Sequence, residues 1–291
     1  MKNFTRRIRL LVPYYLRALY FTFKYRQQIS DLQIAKSGIN SDGKAYVRLQ
    51  DGLTFVGHSA HPGYRLYYHI FAGSRTRAKL TPETCGVAFD ICMRYLGPSE
   101  QSEQLEAGKY YNLQPGQIVV EVGAYIGYYA MRAAELVQPD GHVIAVEAVP
   151  ENIKLIKENL RINRLNNVTV VEAAAWKEKS TLTFHWEGHQ AGSLLPNIVR
   201  NKTKLTVPAN SIDNILNELN IFSVDFIRVQ VNGVELDVLQ GMHNTLEKKH
   251  PRVLVTAPYL HNGDSSTNQV TSYLKLFGYQ VTQHGDNVFA R

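Results

Sequence analysis

The 291-residue sequence predicts an α/β fold: a doubly wound, mostly parallel sheet of seven strands, carrying an N-terminal extension of helices and a β-hairpin. Three observations carry that prediction. From residue 115 onward, short apolar runs alternate with helical stretches, the rhythm of βαβ units. The first run closes on a glycine-containing turn, "VVEVGAYIGYYAMRAAELV" at 119–137, as strand-to-helix junctions of doubly wound folds do. Two short final strands, "YQVTQH" and "NVFAR", form a closing hairpin that a plain dinucleotide-binding fold lacks.

The chain opens on a basic segment. Residues 1–30 hold Lys2, Arg6, Arg7, Arg9, Arg17, Lys24 and Arg26 and no acid, seven of the 32 basic residues. The other 25 stand against 25 acids, so the body is neutral and the net +7 belongs to this segment. That argues against a nucleic-acid surface on the folded body, and nucleic acid is not an expected partner. Pro13 suits a helix start. Beyond it Leu16, Leu19, Tyr20 and Phe23 share one helical face, with Arg17 and Lys24 on another. Two readings of this basic amphipathic helix stand: it lies on an anionic membrane surface, or it packs on the body or a partner subunit. Charges interrupt it well short of the roughly 20 apolar residues a span needs, and they argue equally against a cleaved signal peptide. The expected location is cytoplasmic, peripheral at the cytoplasmic face of the membrane if the first reading holds. Cys85 and Cys92 form neither a disulfide framework nor a metal motif, which agrees with a reducing compartment.

Residues 31–110 read as an N-terminal extension packed on the remainder of the chain. "KAYVRLQDGLTFVGHSA" alternates apolar and polar residues around Asp51-Gly52, a hairpin signal. Residues 64–96 read as helical, and "GPSEQSEQLEAGK" at 97–109 as a polar loop. His58 and His61 have no further ligands near them in sequence, and no metal site is expected.

The core domain spans 111–291. "QIVVEVGA" is its first strand, followed by a helix at 127–137; "GHVIAVEA" is the second, with a helix at 150–163. "NVTVVEAAA" is the third. "STLTFHWEG" and "KLTVPANSI" form an inserted hairpin, and 211–220 a short helix. "VDFIRVQVNG" is the fourth strand, backed by a helix at 233–248. "RVLVTAPY" is the fifth, with a helix at 265–277 before the closing pair.

The glycine turn is where chemistry enters. Gly123 and Gly127 can let backbone approach a ligand where a Cβ would block it, and the helix behind them presents N–H groups. Glu147 ends the second strand, where doubly wound folds place an acid against ribose hydroxyls. NAD and S-adenosylmethionine both fit that much. The dinucleotide fingerprint is G-x-G-x-x-G, whereas here Glu121-x-Gly123-x-x-x-Gly127 puts an acid ahead of the turn. A carboxylate there suits an ammonium and a sulfonium, worth roughly 1–4 kcal/mol at about 4 Å, and would repel a pyrophosphate.

"PGQIVVEVGAYIGYYAMRAAEL", "GHVIAVEAVPENIKLIKENLRIN", "NNVTVVEAAA" and "VDFIRVQVNGVELDVLQGMHNTLEKKHPRVLV" together resemble the FkbM family of class I S-adenosylmethionine-dependent methyltransferases. The resemblance covers about residues 110–291. It implies the Rossmann-like class I fold, S-adenosyl-L-methionine as cofactor, and methyl transfer, commonly to a hydroxyl of a sugar, lipid or natural product. Carried over by position, Glu121, Gly123 and Gly127 match the first motif, with Tyr125 where the family often has Asn. Glu147, Pro150 and Asn152 match E-x-x-P-x-N, with Glu147 on the ribose and Ala148 against the adenine. Ala174, Ala175 and Trp176 fall where the adenine edge is met, although Trp176 reads equally well as a packing residue.

The fourth strand departs from the family pattern K-I-D-V-E-G-x-E, reading Arg228-Val229-Gln230-Val231-Asn232-Gly233-Val234-Glu235. Two acids have become amides, which disfavours a metal-assisted mechanism, since amides bind hard cations poorly. Gln230, Asn232 and Ser193 are candidate substrate contacts. The candidate bases are His185 and His189 in the inserted hairpin, His261 after the fifth strand, and the retained Glu235. A glycan, lipid or other small molecule is the expected acceptor. The alternative from another class is a non-catalytic scaffold that kept the cofactor pocket and lost the acceptor site.

Overall fold

The structure is a computed structural model describing residues 32–58, 79–92, 112–186, 192–194, 203–257, 260–261 and 264–291. The expected N-terminal helix at 1–30 and the polar loop at 97–109 lie outside the described residues, as does most of the helical stretch at 64–96. The chain divides into two compact units, Met1–Gly97 and Pro98–Arg291.

The first unit contains a three-stranded antiparallel sheet of β1 (Ile34–Ile39), β2 (Ala45–Leu49) and β3 (Thr54–Val56). The hairpin read around Asp51-Gly52 joins β2 to β3, and β1 adds a strand that the alternation did not reveal. Helix α1 (Cys85–Asp90) is buried throughout, and Cys85 and Cys92 are both buried free thiols.

The second unit is built on β4 (Ile118–Val122), β5 (His142–Glu147), β6 (Val168–Glu172), β11 (Phe226–Val229), β12 (Arg252–Thr256), β15 (Val281–His284) and β16 (Asn287–Ala290). The intervening short strands are β7 (Ala174–Ala175), β8 (Ser180–Trp186), β9 (Gly192–Ser193), β10 (Thr203–Asn210), β13 (Leu260–His261) and β14 (Asp264–Ser265). The seven-stranded sheet runs β15-β16-β12-β11-β4-β5-β6, with β16 antiparallel to both its neighbours and the ladders from β12 to β6 all parallel. Counted along the chain, the order is 3-2-1-4-5-7-6, the topology of class I methyltransferases.

The helices are α2 (Tyr128–Val137), α3 (Pro150–Ile162), α4 (Ile212–Glu218), α5 (Glu235–Gln240), α6 (His243–Lys249) and α7 (Ser266–Leu276). Their starts follow from local chemistry. Pro150 occupies the first position of α3, where its missing N–H costs nothing. Ser211 accepts from the Asn214 amide to cap α4. One sheet face buries Val120, Val122, Ile227, Val229, Val253 and Val255 against Ile212, Leu216, Val238, Leu246 and Leu274 of α4 to α7. The period-2 alternation of strands turns Glu121 and Arg228 to the opposite face, where Tyr129 of α2 meets Arg228.

Two expectations are corrected. The helix read over 233–248 is two helices, broken at Gly241-Met242. Any Cβ on Gly241 would lie 2.0 Å from the Trp176 carbonyl oxygen, so the break lets backbone meet backbone. The freed N–H groups at the start of α6 are taken up by Asp213, which accepts from the Asn244 and Thr245 amides at 2.8 Å each. The third strand also ends early: Ala174–Ala175 leaves the main sheet and pairs in parallel with Ala209–Asn210 of β10. The inserted hairpin read from "STLTFHWEG" and "KLTVPANSI" is present, with β8 antiparallel to β10 from Ser180↔Ala209 to Trp186↔Thr203.

Candidate functional site

In a doubly wound sheet, ligands bind outside the carboxyl ends of the strands where the strand order reverses. Here β5 follows β4 on one side while β11 lies on the other, so the crevice opens at the C-terminal ends of β4 and β11. The glycine turn leaves β4 at that point. Gly123 (φ 80), Tyr125 (φ 56) and Gly127 (φ 83) all take left-handed backbone conformations. Tyr125 does so with a bulky side chain, a conformation that Asn enters more readily.

The turn works differently from its sequence reading. A Cβ on Gly123 would stand 2.3 Å from the Gln230 carbonyl oxygen, and one on Gly127 3.1 Å from Ile156. Both glycines make room for the protein itself. Four of the five amides from Gly123 to Gly127 are also spent internally. Gly123 and Ala124 donate to the Val146 carbonyl, Gly127 to the Ala124 carbonyl, and Tyr125 to Glu147 Oε2 at 2.8 Å. Amides committed in this way form no pyrophosphate cradle, which weighs against a dinucleotide more directly than the charge of Glu121 does.

Glu121 is itself compensated. It is 2% exposed, and Arg228 of the neighbouring strand, in register with it, donates to Oε1 at 2.9 Å. The guanidinium stacks over the Tyr129 ring, 4.5 Å from its centroid, and its other nitrogen donates to Gln230 Oε1. The attraction expected between Glu121 and a cationic ligand is therefore largely answered inside the protein.

Glu147 lies at the end of β5, almost fully buried. Oε1 accepts from the Val149 amide at 2.9 Å and from Asn152 Nδ2 at 3.2 Å. Burial pushes its carboxyl up from the ordinary value, and the bonds from Val149, Asn152, Tyr125 and Ala148 pull it back. Asn159, fully buried, donates to the Ile126 carbonyl and anchors the turn from below. Ala148 and Trp176 pack against the apolar cluster of Ala174, Val207 and Ala209.

The inserted hairpin reaches the same end of the sheet. Ser193 Oγ donates to the Asn232 carbonyl at 2.5 Å, in the loop after β11. His185 pairs directly with Ser193 in the β8–β9 ladder, so their side chains share a face. His185 is 7% exposed, and its Nδ1 is buried without a hydrogen-bond partner among the described residues. Glu235, the first residue of α5, is 1% exposed and accepts from the Gly233 amide at 2.9 Å. His189 lies outside the described residues; of His261 only the backbone is described, in β13. Among the described residues, no group of three or more His, Cys, Asp or Glu is placed to hold a metal ion, and no helix is long and apolar enough to cross a membrane.

The structure thus gathers Glu121, Gly123, Tyr125, Gly127, Glu147, Asn152, Gln230, Asn232, Ser193 and Glu235 around one end of the sheet. It adds Arg228, which the motif reading passed over. The signal was available, because Arg228 and Gln230 stand two apart and share a strand face.

Residues 121–281, more than half of the chain, match the family model described as the methyltransferase FkbM domain. The chain belongs to the FkbM methyltransferase family. Shorter matches fall in other methyltransferases. One is a protein-L-isoaspartate O-methyltransferase of Methanothrix thermoacetophila, 43% identical over 60 residues, 21% of this chain and 29% of that one. Another is an arsenite methyltransferase of Halobacterium salinarum, 41% identical over 56 residues, 19% and 14% of the two chains. The FkbM chain spans less than a third of the length of these curated relatives. Among solved structures, a methyltransferase FkbM from Methylobacillus flagellatus KT superposes with a TM-score of 0.48 at 15% identity, covering 78% of this chain and 53% of that one.

The methyl donor of FkbM methyltransferases is S-adenosyl-L-methionine, and the residues at the crevice fit it. Glu147 is an acceptor-only carboxylate beside the turn, the complement of a ribose diol that donates twice. Glu147 is the residue that would receive such a diol. The turn asks for no phosphate, and this donor carries none.

Proposed function

We propose that this FkbM methyltransferase moves a methyl group from S-adenosyl-L-methionine to a hydroxyl oxygen of a sugar, lipid or natural product. The observation that carries the reading is the Ser193–Asn232 contact, which ties the inserted hairpin to the loop at the open end of β11. It brings the hairpin, with Ser193 and His185, to the end of the sheet where Glu147 and the glycine turn stand, so an acceptor held by the hairpin would lie near a donor held at Glu147, as in-line displacement requires.

When bound, the cofactor supplies an electrophilic methyl carbon and leaves as S-adenosylhomocysteine. Glu147 holds the ribose, and the turn between Gly123 and Gly127 sets the distance to β11. A hydroxyl acceptor sheds one proton as its oxygen takes the methyl, and His185 Nδ1 is the proposed recipient. Its burial and its lack of another hydrogen-bond partner among the described residues support that role.

The test has two stages. Calorimetry with S-adenosylhomocysteine is expected to give binding to the wild type and a loss of at least about tenfold in Glu147→Ala. Labelled S-adenosylmethionine incubated with glycan and lipid extracts is then expected to yield an alkali-stable labelled ether. Binding without labelled product across such extracts would favour the scaffold alternative; absence of binding would end the cofactor assignment.

A further inference from the structure

We infer that Asn287 and His284 form an outer acceptor subsite, which holds the sugar next to the methylated one, so that the acceptor is a glycan of two or more units; the inference rests on the transfer reading above. What carries it is a row of polar side chains across the carboxyl end of the sheet, over β11, β12, β16 and β15. Gln230 follows the Val229↔Val255 pair and falls beside Thr256. Thr256 pairs with Asn287 of β16, and Asn287 with His284 of β15.

Contacts put all four on one face. Arg228 bonds Gln230 on the face opposite the α4 to α7 core, and Thr256 alternates with the core residue Val255. Thr256 Oγ1 donates to Asn287 Oδ1 at 2.9 Å, and the His284 ring meets the Phe289 ring edge-on, with 5.9 Å between centroids. Two residues deeper in the sheet the same face carries Leu254 and Phe289, both buried, whereas the row itself is partly exposed. Apolar burial gives way to polar groups where the sheet ends.

The bonds inside the row fix what it offers. An arginine has only N–H donors, so Gln230 gives Arg228 its amide oxygen and keeps its NH2 to donate. Asn287 accepts from Thr256 through Oδ1 and keeps its NH2 likewise. Neither NH2 is buried or bonded by another described residue. No described residue bonds a ring nitrogen of His284; Nε2 is buried, and the partly exposed ring presents Nδ1. From Gln230 to His284 is three strand spacings, about 14 Å, longer than one sugar ring. Amides and an imidazole set along such a line suit glycan hydroxyls, which both donate and accept. An acyl chain laid there would leave them unpaired.

The experiment incubates the full chain with labelled S-adenosylmethionine and a glycan extract cut by partial hydrolysis into fractions of one, two and three sugar units, beside a lipid extract. Wild type is expected to label two-unit and longer acceptors with a kcat/KM at least about fivefold above that for single sugars, the worth of about one hydrogen bond. Asn287→Leu and His284→Phe, the second keeping a ring against Phe289, are each expected to lose most of that gain through KM. Their kcat on single sugars and their S-adenosylhomocysteine affinity should stay within about twofold of wild type. Equal efficiency across the size fractions, label confined to the lipid extract, or a folded variant with the wild-type size preference would overturn the inference. If one variant fails to fold, the other decides; if both do, the wild-type size profile decides. S-adenosylhomocysteine binding without label in any fraction is a different result and removes the transfer reading itself, and absence of binding removes the cofactor.

Discussion

Arg228 reaches Glu121 across the β11–β4 ladder at 2.9 Å, with side chains 11% and 2% exposed. Taking both charges out of water is expensive, and the pair is tolerated because each offsets the other. Arg228→Met leaves Glu121 buried without its counter-charge and is expected to cost about 3–5 kcal/mol in urea unfolding. Adding Glu121→Gln should recover most of that loss, because the uncompensated charge is gone. Losses that simply add in the double variant would show that the pair is not coupled.

The two glycines of the turn should respond differently. Gly123→Ala places a methyl 2.3 Å from the Gln230 carbonyl at a φ of +80°, so both the turn and the end of β11 must shift. A loss of about 2–3 kcal/mol is expected, with S-adenosylhomocysteine affinity falling alongside it. Gly127→Ala meets the Ile156 side chain first, at 3.1 Å, and the Ile156 Cα at 3.5 Å, and should cost about 1 kcal/mol, mostly backbone strain. Equal losses at the two positions would count against the close approach to Gln230.

Glu147 makes stability depend on pH. Its carboxyl is raised above 4.5 in the folded protein, foremost by burial, so the folded state holds that proton to higher pH than the unfolded chain. Between 4.5 and the raised value the folded state binds more protons, and stability falls as pH rises through that window. The difference in urea midpoint between wild type and Glu147→Gln should therefore move against the wild type as pH climbs from 4.5, then level off. A difference that is flat throughout would mean the donors around Glu147 cancel its burial.

His185→Gln keeps a polar side chain and removes the proposed base. Labelled-methyl transfer to hydroxyl acceptors is expected to fall by about 10²-fold, while S-adenosylhomocysteine affinity stays within about twofold. An unchanged rate would return the proton to water and leave His185 as a buried hairpin residue.

The central strands of the large sheet are legible in the sequence because each is a short, near-continuous apolar run buried on both faces, and the helices because their apolar positions recur on one face. Glu147 and Asn152 are legible for the same reason: five residues apart, across a strand end and the helix after it, they meet by local geometry alone. The break in the helix at 233–248 is not legible, because it depends on Trp176 and Asp213, residues remote in sequence that supply the backbone contact and the cap. The early end of the third strand is hidden as well, because Ala174 and Ala175 carry no signal for which of two sheets they join.

By itself the sequence determined the order of elements, the glycine turn, the acid at the end of the second strand and, through its run of motifs, the FkbM family. Only the tertiary structure decided what those residues face. Gly123 clears a path for Gln230, and Glu121 answers Arg228, 107 residues away. Ser193 spends its hydroxyl on the Asn232 carbonyl. Periodicity is a property of neighbours along the chain and records which side of an element is buried. A partner brought across a parallel sheet is chosen by register, which is set only when the strands pair.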